Sequence, residues 1–567
     1  MFAADGVHAK VNLVEAAMYS QLVNPTHQDP KTYTQAMASS QASAWQAAVD
    51  LEMATLEKYK AVALIPKASV PPNARILPST MIFRTKFSNT GAIAKLKCRL
   101  VILGNCERPH VDYDPFGIYS PVCSYQVLLS VLSFATAGAW HIYQMDVQAA
   151  FLQGDELKTP VYAYMPKGLP DLDAQGRSLV MELHKSVYGL HQSPRWYYDS
   201  FVRLVLHHFQ LQVTTVHPCL FVRHVGTPHA LVMLIIVDDI ISASPSLSVV
   251  QQFEAGLGQL LTMSASAPLN FYVSLEIDYN REARRMVITQ KHHIWRMLEA
   301  YGMLDVTPVS TPMATSCNMY ANFDTLPKLD APAIKLYQQY VGSLLFLAVT
   351  ARHDLLQSVV ACTKFMSCPN SHHFDQVVRI MRYVAGTMDV GLTYEVKPGV
   401  PPNVLTVYVD SNHGGSSLQD PYNTYGYAFM FNNASVFSKC ARFTHIVLSS
   451  GEGEYSSLCM AGKAAVHEID ILNAIGANLQ LPIVIFEDNT AAIQMAANPT
   501  STSRTRHISL QYHYVRELVQ KGILVVQHLV SPQQLADIFT KPLSKEVFRR
   551  HRAALLNCEL KPSRGDD

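Results

Sequence analysis

The sequence is short of charge: Asp, Glu, Lys and Arg make up 16% of its 567 residues, against about 25% in an average globular protein. Because the hydrophobic set reaches 49%, intrinsic disorder is excluded for most of the chain. Long apolar runs are missing as well. The longest, ALVMLIIV at 230–237, stops at two aspartates and falls far short of the roughly 18 residues that span a bilayer, so no membrane partner is expected. The opening residues, MFAADGVHAKVNLVEA, contain no basic stretch followed by an apolar one; no secretory signal is read, and an intracellular protein is expected. The ten cysteines form no CxxC, which leaves neither a zinc cage nor a disulfide framework. The 23 histidines form no HxxxH pair and receive no ligand role. With 45 Lys and Arg against 44 Asp and Glu the net charge is only +1, so no general basic field exists and any polyanion site must be local. Arg84, Lys86, Lys95, Lys97 and Arg99 form one such patch, and Lys541, Lys545, Arg549, Arg550 and Arg552 another. Without further motifs each reads as a solvated face.

What is present suggests several domains, about three or four at roughly 150 residues each. Residues 1–29 lack periodicity and read as a leader. Trp45, Val49, Met53 and Leu56 recur at helical spacing within 42–60, and the proline-rich stretch 66–78 ends that helix. From 81 to 264, β-branched runs alternate with helical patterns, as in an α+β domain. WHIYQM at 140–145 predicts a strand ending at Asp146, followed by the helix-prone VQAAFLQG. Strands at 230–237 and 240–243 are expected to be joined at Asp238-Asp239 by a two-residue acidic turn. Another hairpin and helices over 337–350 and 374–386 follow. KPGVPPN at 397–403 marks the clearest boundary. Beyond it, LTVYVD, YGYAFMF and PIVIFED read as strands, with helices over 454–479 and 509–521, which predicts a mixed sheet flanked by helices.

Two sets of carboxylates stand out. Asp146, Asp238 and Asp239 lie at the ends of apolar strands, where the backbone holds a side chain rigidly. Nucleotidyl transfer between polyanions uses two divalent cations, and Mg²⁺ accepts a few carboxylates plus substrate phosphates. Asp410, Glu454, Asp488 and Asp537 come from a strand, a helix, a strand and a helix, and a pocket holding all four suits phosphodiester hydrolysis by metal-activated water. Taken singly, each acid reads as a turn, capping or surface residue.

The ordered motifs QMDVQAAFLQG, KSVYGLHQSPRWYYD, IVDDI, DSNHGG, LSSGEGEY, EDNTAAI, RTRHISLQYHYVRE and QLADIFTKPL together resemble the polymerase end of a copia-type LTR-retrotransposon polyprotein over about residues 30–545. The resemblance implies a right-hand polymerase with fingers, palm and thumb, followed by a connection segment and a mixed α/β ribonuclease H-like domain. The implied divisions are fingers and palm at 30–264, a thumb-like region at 265–345, connection and linker at 346–402, the nuclease at 403–545 and a tail at 546–567. It also implies RNA-directed DNA polymerase and RNA–DNA hybrid ribonuclease activities. Mg²⁺ is the implied cofactor, two ions per site, with Mn²⁺ as an alternative. An RNA template, a DNA primer strand, an RNA–DNA hybrid and deoxynucleoside triphosphates are the implied partners, with other retrotransposon proteins in a cytoplasmic particle. Carried over by position, Asp146, Asp238 and Asp239 are polymerase metal ligands, and Phe151 is the aromatic sugar gate. Gln192 is the glutamine beside the incoming nucleotide, and Lys86, Lys97 and Arg99 hold its triphosphate. Asp410, Glu454, Asp488 and Asp537 become the nuclease acids, with Glu454 rather than Glu452 at the position before the tyrosine. His528 is an exposed histidine or, by analogy, an aid to the nuclease.

The chain departs from the family pattern. Ile236 replaces the usual Tyr before V-D-D. D-A-D-W becomes Asp410-Ser411-Asn412-His413, and S-S-T-E-A-E-Y becomes Ser449-Ser450-Gly451-Glu452-Gly453-Glu454-Tyr455. Val273-Ser274 stand for Leu-Gly, and T-R-P-D reads Ala351-Arg352-His353-Asp354. None of these removes a catalytic carboxylate. An active enzyme is therefore the first expectation, a decayed relic that folds and binds nucleic acid without turnover the second. A purely structural protein gives no reason for seven acids in this order.

Overall fold

The computed structural model of the chain describes residues 29–87, 93–321, 323–412, 422–497 and 513–559. Apart from Asp29, the expected leader lies outside them, as do His413 and most of the RTRHISLQYHYVRE motif. Asp29 itself accepts from the Thr85 amide and pairs with Arg84.

The period-two pattern of the first hairpin explains its packing. In strands Ser79–Phe87 and Ile93–Ile102, Met81, Phe83, Cys98, Leu100 and Ile102 are buried, which turns Lys97 and Arg99 to the opposite face. The buried face rests on helix Ala42–Lys58, where Trp45 meets Phe83 edge-on at 5.4 Å and Glu52 accepts from the Leu100 amide.

At the centre is an antiparallel six-stranded sheet in the order Ala267–Pro268, His141–Asp146, Asp239–Ser244, Leu231–Ile236, Leu220–Arg223, Gln212–Val213. Its middle strands are buried on both faces, which is why they read as continuous apolar runs rather than alternating ones. Strands Phe271–Tyr272, Leu275–Asn280 and Arg285–Thr289 form a separate sheet that Leu392–Glu395 completes from more than a hundred residues later. The expected thumb-like and connection segments are thus joined by strand pairing. Arg352 and Asp354, both buried, form a two-bond ion pair that Tyr383 extends, and Arg552 donates to the Tyr383 hydroxyl. Arg552 therefore does not belong to a solvated basic face.

The C-terminal part is a mixed five-stranded sheet in the order Ala434–Arg442, Thr424–Phe431, Leu405–Ser411, Ile483–Glu487, Leu524–His528. The last two pairings are parallel, and helix Ser450–Ala474 packs on it. The glycine- and proline-rich linker is not a spacer. Lys397 donates to Asn557 and the Asn403 amide to Asn432, while helix Tyr125–Ala137 reaches across to contact the second sheet. There Ser130 and Gln126 bond the buried Glu468, and Asn432 donates to the Ser133 carbonyl.

Three local expectations need correction. The segment after Asp146 is not an α-helix. The amides of Val147 and Gln148 are taken by the Asp238 and Thr262 carbonyls and Ala149 adopts φ +50°, so only a single 3-10 turn forms at Ala150–Gln153. The hairpin turn is Val237–Asp238 rather than Asp238–Asp239, because Asp239 already pairs with Ile236. Glu454 lies in the second turn of a helix that begins at Ser450, capped by Ser449. Among the described residues no helix is long and apolar enough to cross a membrane.

Candidate active sites

The first site lies where the central sheet meets the first hairpin. Strand His141–Asp146 ends where Asp239–Ser244 begins, and the antiparallel register places Asp146 directly opposite Asp239, with Asp238 in the adjoining turn. All three line a cavity of about 720 Å³, together with Lys86, Arg99 and Phe151. The Tyr272 hydroxyl donates to the Asp239 carbonyl at 3.2 Å and ties the following hairpin to this strand.

Burial, with Asp238 adding, pushes Asp146 up to about 6, against the pull of Lys97, Lys86 and Arg99. Burial and the charges of Asp238 and Asp146 push Asp239 up to about 7. Asp146 and Asp239 are therefore held partly protonated by burial and by their acidic neighbours, and a hard oxygen-binding cation would offset both effects. Lys97 does not line the cavity. It is half-buried on the same strand face as Arg99, its charge acts on Asp146, and burial followed by Arg99 and Lys86 lowers it to about 8. Gln192 does not line the cavity either: it is buried before helix Ser193–Phe209, and its Oε1 lacks a partner among the described residues.

Phe151 is 8% exposed and meets the rings of Tyr188 and Tyr197 edge-on, at 4.9 and 5.9 Å. Tyr188 also lines the cavity and carries the Arg99 guanidinium 4.3 Å from its ring centroid. This tyrosine, which sequence reasoning did not single out, joins cation and aromatic wall. Gly189 makes the join feasible: at φ +100°, a Cβ there would lie 1.9 Å from the Ile102 carbonyl, while the Ile102 amide donates to the Tyr188 carbonyl. The YG pair was visible in the sequence, but its partner strand was not.

The second site lies at the edge of the mixed sheet. One oxygen each of Asp410, Glu454 and Asp488 falls within 4.8 Å of the others. Each carboxylate is anchored: Glu454 accepts from the Ser411 amide at 2.8 Å, Asp488 from the Ser531 hydroxyl at 2.6 Å and Asp410 from Thr540. Asp537 is adjacent and pairs with Lys541 at 2.8 Å. Glu452 instead accepts from the Leu448 amide and lies in the helix cap. Burial raises Asp410 and Glu454 well above the ordinary carboxylate range, reinforced by Asp537 for the first and by Glu487 for the second. Glu487 is a further acid that sequence reasoning missed. It is fully buried, and its Oε2 has no partner among the described residues. Its only signal was adjacency to Asp488. His528 is exposed, at the strand end paired with Glu487. Three hard oxygen donors in reach of one ion fit Mg²⁺ or Mn²⁺.

Residues 62–315 match the family described as reverse transcriptase (RNA-dependent DNA polymerase). The chain is 32% identical over 539 residues to the retrovirus-related Pol polyprotein from transposon RE2 of Arabidopsis thaliana, covering 95% of this chain and 35% of that protein. The corresponding protein from transposon RE1 of the same plant is 31% identical over 98% of this chain and 37% of its own length. That from transposon TNT 1-94 of Nicotiana tabacum is 26% identical over 92% and 38%. The chain thus spans about a third of the length of these relatives. A solved structure of a foamy viral protease–reverse transcriptase in complex with double-stranded DNA aligns with a TM-score of 0.44 at 12% identity, covering 85% of this chain and 69% of that one. Residues 62–315 thus carry the match to the reverse transcriptase family, and over most of its length the chain is similar to part of copia-type retrotransposon Pol polyproteins.

Proposed function

We propose that the protein is an RNA-directed DNA polymerase with a separate ribonuclease H centre, arranged as fingers, palm and thumb followed by the nuclease. The observation that carries the reading is the convergence of Asp146, Asp238 and Asp239 on one cavity with Lys86 and Arg99. Asp146, Asp238 and Asp239 would hold two Mg²⁺, or Mn²⁺, in the first site, and Asp410, Glu454, Asp488 and Asp537 two more in the second. When bound, such ions lower the pKa of an attacking hydroxyl or water and stabilise the leaving oxygen.

The chain's own residues supply the rest. Lys86 and Arg99 are the cations at the cavity wall, suited to the triphosphate of an incoming deoxynucleotide, and Lys97 on the same strand face adds to their field. Tyr188 holds Arg99 by its guanidinium face and supports Phe151 from the side. Phe151 offers an apolar ring with no polar partner for a 2′-hydroxyl, which disfavours a ribonucleotide. Gln192, set back from the wall, is assigned a positioning role at the start of its helix. In the second site the anchored carboxylates keep their spacing, so an RNA–DNA hybrid meets a preformed pocket. An RNA template and a DNA primer strand complete the partners, within an intracellular particle containing other proteins of the element.

Primer extension on an RNA template by purified protein with Mg²⁺ tests the reading. Incorporation of deoxynucleotides is expected; no extension under any divalent ion would leave the relic expectation in its place.

A further inference from the structure

Asp537 stands apart from the other acids of the second site. Asp410, Glu454 and Asp488 bring their oxygens to within 4.8 Å of one another, whereas Asp537 Oδ1 faces the Lys541 ammonium at 2.8 Å. Thr540, the residue before that lysine, donates to Asp410 Oδ2. One short segment therefore delivers an acid, a hydroxyl and a cation to the same cluster. Asp410 and Asp488 also act on the Lys541 charge, so it lies in the field of three of the four acids. The lysine side chain is about half exposed, which leaves it a path to water.

We propose that Lys541 is a built-in counter-cation that competes with a divalent ion for Asp537. The cluster then takes one ion readily on Asp410, Glu454 and Asp488, and a second only as Lys541 moves away. This rests on the reading of the cluster as a metal-dependent nuclease centre. A lysine suits such a role because its ammonium is compact and strongly hydrated on a flexible stem, so it exchanges a carboxylate for water more easily than an arginine fork does. Without the lysine, four carboxylates at one edge would repel one another in the metal-free protein; with it locked in place, the second ion would face a fixed positive charge. The cation sits on the acid outside the triad, where it leaves the three-oxygen group intact.

Mn²⁺ is the probe, titrated into the full chain carrying Asp238→Asn to remove a ligand of the polymerase cluster, with free ion followed by electron paramagnetic resonance. The starting protein should bind one ion tightly and another more weakly. Lys541→Gln should tighten the weaker binding about tenfold, the size of effect outer-sphere groups have on metal affinity, and Lys541→Arg should leave it near the starting value. In the chain without a Lys541 substitution, acetylation of Lys541 followed by peptide mass spectrometry should speed up several-fold on Mn²⁺ saturation. Unchanged or weaker Mn²⁺ binding in Lys541→Gln, or an acetylation rate indifferent to Mn²⁺, overturns the proposal. No Mn²⁺ binding at the second site of the starting protein is a separate outcome that overturns the metal-site reading itself.

Discussion

A Cβ atom at Gly453 would lie 2.8 Å from the Ser411 hydroxyl oxygen, closer than side-chain carbons pack. Both positions depart from the family pattern in complementary directions: Ser411 stands where the pattern has alanine and gains an oxygen, and Gly453 stands where it has alanine and loses a methyl. Helix and strand therefore keep the approach that lets Glu454 accept from the Ser411 amide. The two side chains draw on one space, so a change of volume at either is felt at the other.

Gly453→Ala alone should destabilise the fold by about 1–3 kcal/mol through overpacking. Adding Ser411→Ala should recover most of that loss. Urea unfolding of the four proteins of this cycle measures the coupling; strictly additive effects would mean that the two residues do not share the space.

Phe151→Val should enlarge the wall of the first cavity and raise the efficiency of ribonucleotide relative to deoxynucleotide incorporation by about tenfold or more. Single-nucleotide incorporation assays with both substrates decide it. An equal fall for both would make Phe151 a packing residue for Tyr188 and Tyr197 and nothing else.

Glu468 links the two halves of the chain and gives stability a pH dependence. Its oxygens face Gln126 and Ser130, with Tyr394 nearby, and burial pushes its carboxyl up to about 7 from an ordinary 4.5. The folded state keeps this proton up to about pH 7, while the unfolded chain loses it near 4.5. The contribution is therefore fully present below pH 4.5 and declines as pH rises to 7, by at most about 3 kcal/mol. Glu468→Gln, which imitates the neutral acid, should flatten that part of the stability profile. Denaturant midpoints at pH 5 and 7 that shift equally in both proteins would show that Glu468 titrates normally.

The acids of both sites were legible because each ends an apolar strand or begins a helical pattern, and local sequence determines that much. What was not legible depends on pairing. The turn at Val237–Asp238 is set one residue earlier than the acidic pair suggests, because Asp239 is in register with both Ile236 and Asp146. The residues after Asp146 have helical propensity, but their amides are claimed by neighbouring strands and loops. Tyr188 and Glu487 gave no signal of their own, since each acquires its role from a segment distant in sequence. Asp537 and Lys541 have the spacing of an ordinary helical ion pair, and only the arrival of Asp410 and Asp488 beside them gives the pair significance.

The two proposed sites should fail independently, and a crossed measurement of both activities on the same preparations decides whether they do. Primer extension and RNA–DNA hybrid cleavage are assayed with Mg²⁺ for the parent, Asp238→Asn and Asp488→Asn, each verified as folded by its thermal midpoint. Asp238→Asn should lose extension and keep cleavage, and Asp488→Asn should do the reverse. Parental extension by Asp238→Asn, parental cleavage by Asp488→Asn, or loss of both activities in either variant would contradict the assignment of two independent centres.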